Sequence, residues 1–455
     1  MTTSLLRHRS ARHERALVAT ASETHPGRAG ADGLAASLKR GLDKPLMSYH
    51  LVLGVSAVLL ALGLLMVLSS SSVLSLRLHD SSYAIFVRQV VWVVLGVPVA
   101  WVASRLPLRF VRLLAWPALL VSLALVLATY LPGVGVEVNG NRNWLSLGGG
   151  LQVQPSELAK LALVLWCADV YARKAKLLAY WRHLFVPVLP VSVLVIAAVI
   201  GQGDLGTALV LFAIALGMLW VVGAPARLFL GASLVAGVTA FALAATDEER
   251  KARLTGFVDP LADFGDGGWQ ASHGFFALAT GGWWGSGIGA SSQKWGALPE
   301  AHTDYIFAII GEEFGLFGTL VVLGLFVTLA YAGIRIAART SDIFARNVAA
   351  GVVVWLLGQA VINMGMVLGL LPVIGIPLPL ISYGGSSLLP TLIALGLLLA
   401  IARTEPGAAE ALRLSRALGR RGLFAALGSV AGPLRATAAV SGSTTTPRST
   451  TENSG

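Results

Sequence analysis

The chain of 455 residues has little charge: Asp, Glu, Lys and Arg together make up 13% of it. Ordinary soluble domains carry roughly 25%, so a string of water-soluble globules is excluded. It has one cysteine, Cys167, set in an apolar run. An internal disulfide framework is therefore excluded, and the redox compartment stays unread. The glycine-rich stretch 281–294 has no strand before it and no Gly-Lys-Ser/Thr step, which excludes a dinucleotide fold and a P-loop. No cluster of His, Cys and carboxylates stands at metal-ligand spacing, so no metal ligand is assigned. Acids are also scarce, 23 against 34 Lys and Arg, for a net charge of +11. The surplus is unevenly placed, because residues 1–47 and 403–455 each carry a net +4. Basic tails beside apolar spans suit an anionic membrane surface better than base readout, so nucleic acid is set aside as a partner.

What the chain has is apolar length, with 55% hydrophobic residues gathered in long runs. A helix needs about 20 such residues to cross the hydrocarbon core. Reading for them gives about ten spans: 48–69, 84–104, 109–131, 156–173, 183–201, 204–223, 226–245, 306–333, 345–371 and 386–403. The expected fold is thus an all-α polytopic membrane protein of about ten transmembrane helices. Basic residues in short loops set the orientation. Arg105, Arg109, Arg112, Arg173, Lys174, Lys176, Arg182, Arg227, Arg335, Arg339 and Arg346 all fall on one side, with both tails. That side is expected to be cytoplasmic. The organisation expected is a basic, disordered cytoplasmic tail 1–47, a membrane domain 48–403, and a basic, Ser/Thr-rich cytoplasmic tail 404–455. The loops 132–155, 246–304 and 372–385 then lie outside the cell. At nearly sixty residues, 246–304 is far longer than a connection needs, which points to function on that face.

Four segments on that face carry chemistry-bearing residues. Gln154 to Lys160 opens the fourth span, with Pro155 suited to a helix start and Ser156 able to cap it. Glu157 and Lys160, three apart, share a helix face. They read either as an ion pair at the helix start or as groups shaping a cavity, since ionisable residues inside a span usually face a pathway. Asn139 to Trp144 is rich in donors and holds Arg142, able to grip a phosphate or to pair with Glu137 on the surface, and Trp144, able to stack on a sugar or anchor at the interface. Leu298 to Phe307 places Asp304 at the lip of the eighth span. A carboxylate at such a boundary can have its pKa raised toward that of a general base, or it can cap the helix. Gly375 to Ser387 is broken by Pro and Gly, and broken backbone at that depth must be buried in protein or line a cavity.

The motifs NGNRNWLSLG, QPSELAK, LPEAHTDYIFAIIGEE and GIPLPLISYGGSS, in this order within ten spans, resemble the SEDS family (shape, elongation, division, sporulation) of peptidoglycan polymerases, and its cell-division branch most closely. The likeness covers about residues 48–403, and the long tails are similar to those of actinobacterial members. The resemblance implies a glycosyltransferase that joins lipid II units on the outer face of the plasma membrane at the division septum. It makes Asp304, the aspartate of the HTD motif, the catalytic base on the acceptor hydroxyl, with undecaprenyl diphosphate leaving. It carries over Arg142, Glu157 and Lys160 as matching positions, and with Lys294, His302 and Ser386 these are expected around the substrate, whose chemistry assigns the diphosphate to Arg142 and Lys294. Asn143 stands where the family commonly has a second arginine. A divalent cation, Mg or Mn, held by Asp304 and substrate phosphate, is left open as a cofactor. The implied partners are a class B penicillin-binding protein transpeptidase of the FtsI-like kind and other divisome proteins. Alternatives from other classes are a lipid II flippase, motivated by the intramembrane charges Arg88, Glu157, Lys160, Glu312 and Glu313, an elongation-type polymerase, and a scaffold that only recruits a transpeptidase. The concentration of unusual residues on the outer side favours the polymerase.

Overall fold

The computed structural model describes residues 46–138, 140–148, 151–178, 180–245, 268–408 and 410–411, together with Phe257, Pro260, Leu261 and Phe264. Asn139, residues 1–45 and 412–455 of the tails, and the charged run 247–253 of the long loop lie outside the described residues. Hydrocarbon offers no water to backbone N–H and C=O groups, so the apolar runs satisfy them internally as helices. These are α1 (Met47–His79), α2 (Ala84–Ala103), α3 (Leu108–Ala128), α4 (Pro155–Arg173), the short α5 (Trp181–Phe185), α6 (Val188–Gly201), α7 (Leu205–Val221), α8 (Ala226–Ala245), α9 (Trp269–Gly281), α10 (Ile306–Arg339), α11 (Ile343–Val367) and α12 (Leu388–Ala402). Among the described residues seven helices are long and apolar enough to cross a membrane: α1, α2, α3, α6 with the turn before it, α10, α11 and α12. The described residues thus give seven candidate spans where ten are expected, and helices α4, α7 and α8, not among the seven, lie at the other three expected positions. Of these α7, at 17 residues, is short, and α4 carries Glu157, Lys160, Asp169 and Arg173.

The charges on α4 are explained by its place. Sixteen of its 19 residues are buried, packed between α3, α7 and α11, so it meets protein rather than lipid. At its far end the fully buried Asp169 accepts from Arg112 Nε and Arg173 Nε, both at 2.7 Å, and from Trp116 Nε1. The two ends of the described membrane domain meet on that same side. Arg403, just past α12, donates to Tyr49 Oη at the start of α1 and to the carbonyl of Ser104 at the end of α2. The opposite end holds the long connections and is called here the loop end.

Three expectations are corrected at the loop end. The first span does not stop at residue 69, because α1 runs on to His79. Ser70 and Ser72 return their hydroxyls to the carbonyls of Met66 and Ser69, which lets a serine-rich stretch stay helical. The all-α expectation gains a small antiparallel sheet in connection 132–155: β1 (Gly135–Val138), β2 (Asn141–Gly148) and β3 (Leu151–Val153), in the order β1-β2-β3. The register pairs Val136 with Trp144 and Ser146 with Gln152, so Asn141 to Trp144 of the donor-rich motif is strand. The long connection contains α9, which packs on α10. Its glycine-rich stretch is used for close backbone approach. At Gly315 (φ 68°) α10 breaks, and a Cβ there would stand 2.4 Å from the Gly285 nitrogen. The freed groups are satisfied by the loop: Ser286 and Gly287 donate to the carbonyls of Glu312 and Glu313, and Leu316 and Phe317 donate to those of Gly282 and Trp283.

Candidate active site

A cavity of about 1180 Å³ opens at the loop end between α1, α2, the β-sheet, α4, the start of α7, and the segments 300–304 and 372–387. Its lining is partly apolar, with Leu74 and Leu78 from α1, Ile85 from α2 and Val193, Ile196 and Ile200 from α6. It also holds polar and charged side chains. The nearly fully buried Glu157 and Lys160 form its floor, and Arg88, His79, Asn143, Gln154, Asp204, His302 and Asp304 line it as well.

The floor is rigid. Lys160 Nζ lies 2.6 Å from Glu157 Oε2, 3.2 Å from Gln359 Oε1 and 5.7 Å from the Trp355 ring, with Lys160 and Glu157 at 1% and 3% exposure. Gln359 also takes the Trp355 Nε1 hydrogen and donates to the Pro377 carbonyl, tying α4 through α11 to the broken segment. Both readings of this pair hold at once, because it is an ion pair at a helix start that also lines the cavity. Pro155 does open α4, but Ser156 does not cap it: the N-cap is Gln154, without a side-chain bond. Gln154 Nε2 instead donates to Asp204 Oδ2 at 2.6 Å, Asn143 Nδ2 donates to the same oxygen at 3.3 Å, and Asp204 Oδ1 caps α7 by accepting from the Thr207 nitrogen. One carboxylate thereby fixes the sheet, the entry to α4 and the entry to α7.

Asp304 is half-buried on an irregular turn. It is not the cap of α10, whose N-cap is Tyr305 and has no side-chain bond. Its turn is held by the broken segment: Tyr383 donates its N–H to the His302 carbonyl at 2.9 Å, and Ser382 Oγ donates to the Thr303 carbonyl at 2.6 Å. Ser382 Oγ also receives the Leu378 N–H. Gly375 (φ 75°) lies against the carboxylate, where a Cβ would be 3.3 Å from Asp304 Oδ2. This explains why a Pro/Gly-rich segment sits at this depth: its irregular carbonyls and N–H groups bond to the turn that carries the aspartate.

Burial pushes the His302 pKa below its ordinary value, with Glu300 pulling weakly the other way. Its ring packs 5.5 Å from that of Tyr383. A histidine with a lowered folded pKa binds fewer protons folded than unfolded in the window just below pH 6.5. Stability therefore rises with pH through that window and is lost as pH falls. Thermal melting of the detergent-solubilised protein should show this acid-side loss, and His302→Gln should flatten it; an unchanged slope would show that His302 is not its source.

Of the seven residues singled out from sequence, the cavity gathers Glu157, Lys160, His302 and Asp304. Ser386 stands beside it, its buried Oγ accepting the Gln154 N–H at 3.0 Å. Arg142 and Lys294 are placed elsewhere. Arg142 points from the exposed face of β2 and lies 3.9 Å from Glu137, because strand alternation turns Asn143 inward and Arg142 outward. Lys294 is buried under the glycine-rich loop, where Nζ bonds to the Gly289 carbonyl at 2.6 Å and Ser69 Oγ at 3.3 Å and pairs with Glu313 at 3.4 Å. The cavity's side-chain cations are Lys160 and Arg88, the latter bonded to His79 Nε2 at 3.2 Å. Arg88, Asp204 and Asn143 are site residues that the sequence reading did not choose. Arg88 near the start of an otherwise uncharged span was the available signal. Among the described residues no group of three His, Cys, Asp or Glu side chains could hold a metal ion, so the residues present do not by themselves form a metal centre.

The fold and site define a polytopic helical membrane protein with a cavity at one end that is lined by both apolar and charged side chains. Residues 49–406 match the cell cycle protein family FtsW/RodA/SpoVE. The chain belongs to that family. It is 42% identical over 375 residues to the probable peptidoglycan glycosyltransferase FtsW of Mycobacterium tuberculosis, covering 82% of this chain and 71% of that one. It is 38% identical to the FtsW of Legionella pneumophila, over 79% of this chain and 92% of the relative. Among solved structures, one chain of a peptidoglycan synthase complex that coordinates polymerization and crosslinking superposes with a TM-score of 0.63 at 29% identity, over 78% of this chain and 97% of that chain. The rod shape determining protein RodA of Thermus thermophilus gives 0.57 at 30% identity, with coverages of 78% and 96%.

Proposed function

We propose that this protein is a peptidoglycan glycosyltransferase that polymerises lipid II into glycan strands at the division septum, with its loop end outward and both tails in the cytoplasm. The observation that carries the reading is Asp304, a carboxylate whose turn is held by main-chain bonds in a cavity that is also lined by cations and apolar side chains. A lipid-linked sugar diphosphate brings its own leaving group, so two tasks remain for the protein. Asp304 accepts the proton of the acceptor hydroxyl as that oxygen bonds to the anomeric carbon of the donor. The bond from that carbon to the diphosphate breaks, and the diphosphate leaves with the electron pair. Arg88 meets the charge that builds on the departing phosphate, aided by the Lys160 end of the cavity. The apolar side chains that α1, α2 and α6 contribute to the cavity take the polyprenyl chain.

This reading moves the phosphate contact from Arg142 and Lys294 to Arg88. Arg88→Ala should lower kcat/KM at least about tenfold, the effect of losing one charge-assisted contact of about 1.5 kcal/mol, while Arg142→Ala stays within about twofold, as expected for an exposed pair. Initial rates of strand formation at several lipid II concentrations check this, and the reverse order would return the role to Arg142. A class B penicillin-binding protein is the natural partner, supported by the likeness to a chain of a complex that couples polymerization to crosslinking. The purified protein in bilayers, given lipid II and its cognate transpeptidase, should yield glycan strands. Translocation of lipid II across vesicles without polymer would overturn the reading in favour of a flippase.

A further inference from the structure

We propose that Asn363, in α11, is the positioning residue for Asp304; this rests on the reading of Asp304 as the base. Asn363 is fully buried, and its Nδ2 donates to the main-chain carbonyls of Asp304 and Ile376, both at 2.7 Å. A side-chain amide has two N–H donors, and here each is spent on a different chain segment. Those two segments are the ones that must approach each other for the carboxylate to be held. Gly375, beside Ile376, presents a bare Cα to Asp304 Oδ2, so the distance between the two carbonyls sets where the carboxylate stands.

Neither segment is regular structure. Asp304 precedes the N-cap of α10, and residues 373–378 belong to no helix or strand. Carbonyls in such stretches have no ladder to satisfy them, and buried ones must find a donor. Two further bonds to this turn act on the neighbours of Asp304, Tyr383 on the His302 carbonyl and Ser382 on the Thr303 carbonyl. Asn363 holds the carbonyl of Asp304 itself. It does so from a helix that also carries Gln359 and Trp355 under the Lys160 pair, so one rigid element sets both the floor and the base.

The test is steady-state polymerisation of lipid II by the full-length protein in bilayers with its transpeptidase, for Asn363→Asp, Asn363→Leu, Asn363→Gln and Gly375→Ala. Asn363→Asp sets an acceptor against two carbonyls, and Asn363→Leu removes both donors at similar size. Each should lower kcat by about 100-fold, the penalty of misplacing a reacting group by about 1 Å, with KM within about twofold. Asn363→Gln keeps both donors and should recover at least about a tenth of wild-type kcat, again by the positioning argument. A merely structural role would not separate Gln from Leu in this way, nor spare KM. Gly375→Ala leaves every side-chain hydrogen bond in place and presses on the carboxylate, and it too should lose kcat. Wild-type kcat in Asn363→Leu, or Asn363→Gln no better than Asn363→Leu, overturns the proposal. If the Asn363 variants do not fold, Gly375→Ala decides, and unchanged kcat there overturns it. A wild-type protein that makes no polymer from lipid II strikes the functional reading instead.

Discussion

Asp304→Asn should lower glycan-strand synthesis by about 10²- to 10⁴-fold, the span that a general base contributes, while its thermal stability stays close to wild type. The reason lies in how the turn is held. Three bonds that fix residues 302–304 to the broken segment and to α11 end on main-chain carbonyls: Tyr383 on that of His302, Ser382 on that of Thr303, Asn363 on that of Asp304. Exchanging the carboxylate for an amide of the same size leaves all three in place. What changes is the ability to take a proton. The measurement is the initial polymerisation rate with lipid II and the cognate transpeptidase, beside a melting curve of the same preparation. Activity near wild type would sink the assignment and support a scaffold that only recruits a crosslinking enzyme. A lost melting transition would mean that the carboxylate is structural.

Lys160→Met is expected to be the most destabilising single change in the floor, by about 3–5 kcal/mol, because it strands Glu157 as an unpaired buried charge. Both partners are almost fully enclosed, Nζ stands 2.6 Å from Oε2, and Gln359 would lose its cation as well. A double variant, Glu157→Gln with Lys160→Met, should recover most of that loss, since removing both charges also removes the cost of burying them. Unfolding in detergent, followed by melting or denaturant titration of the two single variants and the double variant, measures the coupling. Additive losses would show that the pair acts as two independent side chains. Activity should not return in the double variant, because Lys160 lines the cavity in which the leaving diphosphate is placed.

Much of the molecule was legible without coordinates. Long apolar runs can be read because hydrocarbon forces helices, and all ten expected starts fall within two residues of a helix start, although the one at 183 meets the short α5 just ahead of α6. The run 69–72 misled because serine usually marks an end, whereas here the hydroxyls bond back along α1. Strand alternation hid in a motif of Asn, Gly and Arg, so the inward residue is Asn143 and the outward one Arg142. Lys294, expected to contact the diphosphate, is buried beneath the glycine-rich loop. Those glycines serve the kink at Gly315, and the lysine serves Glu313.

The sequence by itself determined that this is a helical membrane protein. Composition and local periodicity suffice for that, since each span must satisfy its own backbone. Only the tertiary structure decided which of the motif residues share a cavity. Asp204, Arg88 and Asn363 join the site from connections and helices that no motif marks, because convergence depends on how separate segments pack. A side chain's partner across 59 residues, as between Asn363 and Asp304, leaves no periodic trace in the chain.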